Sequence, residues 1–169
     1  FMDGVDGLVA GCFFIITLFA SIYSQSFLIV LAASLLAFLF FNWQPAKVFM
    51  GDVGSTFLGS IFVMLVYGQN NIQEAIRYLL LASPIFLDAA STVLIRYRLN
   101  QNIFKAHKSH LFQRLYDAGW SHSKISLIYI FFTLLTTFSV IINNYPIIFI
   151  TIFFTIISGI FLNHKSATP

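Results

Sequence analysis

Charge is scarce in this chain: Asp, Glu, Lys and Arg make up 9% of its 169 residues. Soluble domains carry about a quarter, so the composition excludes an ordinary water-soluble fold. Cysteine is limited to Cys12, inside an apolar run. Neither a disulfide framework nor a thiolate metal site can be built from it. No basic segment precedes the first apolar block, where Asp3 and Asp6 stand instead, so that block does not read as a secretory leader. Nothing repeats internally and no linker divides the chain. A single membrane domain over residues 1–169 is therefore expected. Residue 1 falls inside what looks like a motif, which reads as the C-terminal part of a longer protein.

What the chain has is hydrocarbon: 59% of its residues are hydrophobic, 21 of them Phe, and mean hydropathy is +0.87. The apolar residues lie in blocks near the length that crosses about 30 Å of hydrocarbon as a helix. The fold class expected is an all-α polytopic bundle embedded in the lipid bilayer. Its six spans run roughly Leu8 to Ser24, Phe27 to Phe41, Thr56 to Tyr67, Ile76 to Ile95, Ile125 to Ile142 and Pro146 to Leu162. The third is short, so its start is expected nearer Val53 or its helix distorted around Gly59. With the N-terminal segment cytoplasmic, alternation puts Lys47, Arg96, Arg98, Lys105, Lys108, Arg114, Lys124 and Lys165 on that side and only Arg77 on the other.

Three polar stretches then open on one face. FMDGVDGL, from Phe1 to Leu8, sets Asp3 and Asp6 three residues apart, with Gly4 and Gly7 allowing a ligand to approach the backbone. An Asp-Gly turn capping a helix would give the same pattern. NWQPAKVFMGDVGST, from Asn42 to Thr56, holds Asp52 between Gly51 and Gly54 at the start of a helix. A hard carboxylate oxygen, the nearby cation of Lys47 and free helix amides suit a magnesium ion bridging protein and phosphate. A simple helix cap is the plainer reading of Asp52, as topology is of Lys47. RYRLNQNIFKAHKSHLFQRL, from Arg96 to Leu115, places His107 and His110 among Lys108, Arg114 and other cations able to neutralise a pyrophosphate. A solvated basic loop against anionic lipid fits the same charges, while zinc lacks a third ligand. Asp88 stands inside a span, where a carboxylate needs a polar partner or serves as a supporting acid. His122 and His164 are read as interfacial residues without a role.

These motifs in this order resemble the polyprenyl-phosphate N-acetylhexosamine-1-phosphate transferases, the superfamily that includes phospho-MurNAc-pentapeptide translocase. FMDGVDGL is similar to the family's DGxDGL motif, PAKVFMGDVGS to its PAxxFMGDxGS motif, and AHKSHLFQRL to its cytoplasmic histidine motif. The resemblance implies transfer of a HexNAc-1-phosphate from a UDP-sugar to polyprenyl phosphate on the cytoplasmic face of a bacterial inner membrane. It implies Mg2+ as cofactor, with Mn2+ as a substitute, and UDP-HexNAc, polyprenyl phosphate and the bilayer as partners. A homodimer is compatible with it, and nucleic acid is not an expected partner. By similarity Asp52 would bind the metal, Asp3 and Asp6 would shape the nucleotide and metal site, and His107 and His110 would lie near the diphosphate or sugar. Gly4, Gly7, Lys47, Lys108 and Arg114 complete the expected substrate contacts.

Two departures qualify this. The family's upstream aspartate pair, and the asparagines before DGxDGL, are not in this sequence, so the chain alone is expected to be inactive. Leu111, Phe112 and Gln113 follow His110 where many relatives carry further histidines. That form is more like members that begin O-antigen or related surface glycans than the peptidoglycan branch. The CDP-alcohol phosphotransferases also join Asp-Gly motifs to membrane helices, but their DGxxAR stretch is missing, since no Arg precedes Arg77. A transporter or scaffold would line its spans with polar groups, whereas only Asp88 is charged in the interior of one, Arg77 standing at the edge of the fourth.

Overall fold

The computed structural model describes residues 4–102, 105 and 108–166. Among them eight helices follow one another: α1 Leu8–Tyr23, α2 Leu28–Asn42, α3 Gly51–Tyr67, α4 Ile72–Leu81, α5 Ser83–Arg98, α6 Leu111–Asp117, α7 His122–Ile142 and α8 Tyr145–Ser166. Among the described residues there is no strand. The all-α expectation holds, and each expected span has a helical counterpart. Among the described residues two helices are long and apolar enough to cross a membrane, α7 and the Tyr145–His164 part of α8, and the bent pair Ile72–Leu81 and Ser83–Arg98 makes a third if it is one span. The apolar α1, α2 and α3 are shorter, at 16, 15 and 17 residues. α3 begins at Gly51, ahead of both starts read from the sequence.

The expected fourth span is not one helix. It breaks at Ala82 into α4 and α5, whose axes turn through 78°. Pro84 lies in the first turn of α5, where its missing N–H costs nothing and its fixed φ starts a new helix. The apolar run continues across the break, so composition reads straight through it. The second departure is α6, a short helix within what the sequence presents as a long basic loop. Its Leu111 and Leu115 fall four apart on one buried face, and Gly119, at φ 86°, follows its end.

α1 is the centre of the packing, against α2 on one side and α7 on the other. At Gly11 an added Cβ would lie 2.3 Å from Ile130 Cδ1, so a side chain there would have to displace Ile130 of α7. The interior is rich in Ser and Thr hydroxyls, and most of them bond within their own helices. Thr133 donates to the Tyr129 carbonyl at 2.8 Å, Thr137 to that of Thr133 at 2.7 Å and Thr155 to that of Thr151 at 2.9 Å. Such back-bonding satisfies a polar side chain where no water competes. Large apolar side chains such as Phe57, Met64, Phe149 and Phe153 point outward. This reverses the inside-out pattern of a soluble bundle and is what a multi-pass membrane protein requires.

Candidate active site

The acidic N-terminal segment, the loop after α2 and the start of α7 are tied together by a few polar groups. Gly7 sits in the left-handed region at φ 78°, and its N–H donates to Asn42 Oδ1 at 2.9 Å. Asn42 ends α2, and its Nδ2 donates to the Val48 carbonyl at 2.9 Å. One buried amide side chain therefore fixes both the Asp-Gly segment and the 43–50 loop. Asp6 adds a second link: its Oδ2 accepts the Ala46 N–H at 3.2 Å, and its Oδ1 lies 3.1 Å from His122 Nδ1. The Asp6 carbonyl accepts the Ser126 hydroxyl at 2.7 Å, and Gln44 Oε1 accepts the Ser123 N–H at 2.7 Å. Both carboxylate oxygens of Asp6 are thus engaged in joining the loop to α7.

His122, given no role on sequence grounds, is a member of this site. Its separation from Asp6 is 116 residues, and no local pattern could pair them. The space over Gly7 is filled as well. An added Cβ there would lie 2.8 Å from Trp43 Cε3, so the neighbour approaching this backbone is Trp43. Gly4 is exposed, and Phe112 of α6 lies 3.5 Å from where its Cβ would be.

Asp52 is exposed in the first turn of α3, directly after the loop held by Asp6 and Asn42. A carboxylate is favoured there by the unpaired amides of the helix start. Gly51 enters the helix at φ 64°, a turn that a side chain would strain. Lys47 is exposed on the same loop. Among the described residues no three His, Cys, Asp or Glu side chains gather to hold a metal ion. A single outward carboxylate still fits magnesium, which keeps several waters and takes its remaining ligands from substrate phosphates.

The histidine motif is anchored from below. Asp88, buried on α5, accepts the Leu111 N–H at 2.8 Å through Oδ1 and the Tyr129 hydroxyl at 2.8 Å through Oδ2. His110 caps α6: Gln113 Oε1 accepts its N–H at 3.1 Å, and its buried ring stacks on Phe112 with centroids 5.6 Å apart. His110 Nδ1 lies 3.8 Å from Asp88 Oδ1. Of the two readings of Asp88, the partner role is the one these bonds display. Arg96 departs from the picture of a solvated basic loop: it is buried, and its Nη2 donates to the Asn102 carbonyl at 2.5 Å. Lys108 is exposed and Arg114 half-buried. Asp3 and His107 lie outside the described residues.

Val5, Leu111, Phe112 and Leu115 share one buried cluster, with Met50 packed against it. The three motif regions therefore meet at one end of the bundle, as far as their described residues reach. The arrangement offers an outward carboxylate at a helix start, a basic surface and a buried histidine, a set suited to holding phosphates in place.

Comparison with known proteins bears on the family of the chain. Residues 1–69 match the model of glycosyl transferase family 4. The chain is 34% identical, over 95% of its length and 48% of the relative's, to a probable undecaprenyl-phosphate N-acetylglucosaminyl 1-phosphate transferase of Bacillus subtilis. It is 34% identical, over 85% of its length and 45% of the relative's, to a phospho-N-acetylmuramoyl-pentapeptide-transferase of Carboxydothermus hydrogenoformans. It is 30% identical, over 76% of its length and 40% of the relative's, to a decaprenyl-phosphate N-acetylglucosaminephosphotransferase of Mycobacterium leprae. The chain thus spans about half the length of these curated relatives or less. No solved structure matches it.

Proposed function

Because the chain belongs to glycosyl transferase family 4, we propose that the whole protein transfers a HexNAc-1-phosphate from a UDP-sugar to polyprenyl phosphate. The reaction takes place at the cytoplasmic face of a bacterial inner membrane. A phosphate oxygen of the lipid attacks the β-phosphorus of the UDP-sugar, the bond from that phosphorus to the bridging oxygen of UMP breaks, and UMP leaves. The lipid keeps a diphosphate sugar. Such chemistry asks the protein for positioning and charge neutralisation more than for covalent participation.

The observation that carries this reading is the meeting of the acidic segment, the Asp52 loop and the histidine helix around Val5, Met50 and Leu111. Asp52 would hold magnesium, whose charge offsets that of the diphosphate. Lys47 and Lys108 neutralise the remaining phosphate oxygens. His110 supports the basic surface from its capping position. Asp6 fixes the loop against α7 through Ala46 and His122, which orients Asp52 without Asp6 itself leaving its bonds. The AHKSHLFQRL form of the histidine motif favours a role in starting O-antigen or related surface polysaccharide.

The test is UMP release by the full-length purified protein in detergent. UMP is expected from UDP-HexNAc only when polyprenyl phosphate and Mg2+ are both present. Release from UDP-MurNAc-pentapeptide alone would move the protein to the peptidoglycan branch. Release that persists without polyprenyl phosphate would refute the transfer.

A further inference from the structure

A cavity of about 300 Å³ opens between α5, α6, α7 and α8, sharing only Leu111 and Arg114 with the histidine motif. None of its lining residues belongs to the Asp-Gly segment or to the 42–56 loop. Its wall is apolar, with Phe132, Ile156 and Ile160 among the lining residues, and it carries two guanidinium groups, Arg98 and Arg114. Arg98 ends α5, beside the basic 99–110 segment. Arg114 Nε is buried with no hydrogen-bond acceptor, and among the described residues neither arginine pairs with a carboxylate. The one acid in the wall is Asp88, and its two oxygens already accept the Leu111 N–H and the Tyr129 hydroxyl.

We propose that this cavity binds an anionic phospholipid of the surrounding bilayer, part of one acyl chain in the groove and its phosphate against Arg98 and Arg114. Three properties select that occupant. The groove is bounded by helices whose other faces carry outward apolar side chains, so its ligand arrives from the bilayer. Its volume is at the small end for ligand sites, room for part of one chain. Its unneutralised charge is positive and lies where basic pockets between membrane helices take phosphate headgroups. The acceptor lipid of the proposed reaction is a different matter, because its phosphate must reach the Asp52 loop, which contributes nothing to this wall.

Gly159 gives a direct test: it lines the cavity, and a Cβ added there meets nothing within 4 Å. Gly159→Leu therefore occupies groove space without a backbone clash and improves helix propensity. The full-length protein, exchanged into detergent, would be titrated with phosphatidylglycerol or phosphatidylcholine of matched chains, and the retained lipid read by native mass spectrometry. Retention of phosphatidylglycerol about fivefold above phosphatidylcholine is expected, with a loss of similar size in Gly159→Leu and in Arg98→Gln. Equal retention of the two lipids, or unchanged retention in both variants, would overturn the proposal. So would one-for-one displacement of phosphatidylglycerol by polyprenyl phosphate, which would assign the groove to the acceptor. Melting temperatures check folding, and the exposed Arg98 keeps the test decisive if Gly159→Leu does not fold. Lipid retention is measured apart from UMP release, so failure here and failure of the transfer reaction are told apart.

Discussion

The carboxylate of Asp88 accepts the backbone N–H of Leu111 at 2.8 Å, across 23 residues of chain. Helix starts are ordinarily satisfied by a neighbouring side chain, but α6 borrows its acceptor from a different helix. The start of the histidine helix is thereby locked to α5. With Tyr129 on the second oxygen, α5, α6 and α7 converge on one buried side chain.

Asp88→Ala should destabilise the full-length protein by about 1–3 kcal/mol for each buried group left without an acceptor. Asp88→Asn should cost much less, since its oxygen can keep the Leu111 N–H and its amide can donate to the Tyr129 oxygen. Thermal melts in detergent check the order wild type, Asn, Ala. An Ala variant as stable as wild type would remove Asp88 from its anchoring role.

Asp52→Asn should behave in the opposite way. The side chain is exposed in the first turn of α3, so melting should shift little. UMP release should fall at least about tenfold, corresponding to about 1.4 kcal/mol of barrier. Near-normal turnover across a magnesium titration would count against its metal role.

Gly7→Ala should be destabilising for two separable reasons. A residue with a Cβ at φ 78° costs about 1–2 kcal/mol, and that Cβ would sit 2.8 Å from Trp43 Cε3. Adding Trp43→Leu should recover the steric part and leave the backbone part. Complete rescue of the melting temperature would show that φ contributes nothing.

Asp6 and His122 should be coupled. Asp6→Asn and His122→Ala, measured singly and together, should show an interaction energy on the order of 1 kcal/mol in stability. Their effects on UMP release should likewise combine non-additively, because both act on the same loop. Simple additivity would mean that the 3.1 Å contact carries no energy in the full-length protein.

How much of this was legible in the sequence depends on range. α1 and α7 end within a few residues of their expected limits, because long apolar runs bounded by polar turns define them. The break at Ala82 was hidden, since Leu79 to Ala82 and Ile85 to Leu87 read as one hydrophobic stretch around Ser83 and Pro84. α6 had a signal in Leu111, Leu115 and Gly119, masked by the surrounding cations. The motifs pointed to Asp6, Asp52 and His110, but not to how Asp6 is used. Its link to His122 depends on how α1 and α7 pack, which neither residue's neighbours encode. The burial of Arg96 was hidden for a similar reason: its guanidinium donates to a carbonyl of the following turn.

The 78° turn between α4 and α5 has a consequence for the lipid around the protein. Two rods set at that angle cannot both stand along the bilayer normal, and whichever is upright leaves the other lying close to the plane of the leaflet. Acyl chains beside the recumbent rod must splay or shorten to cover it.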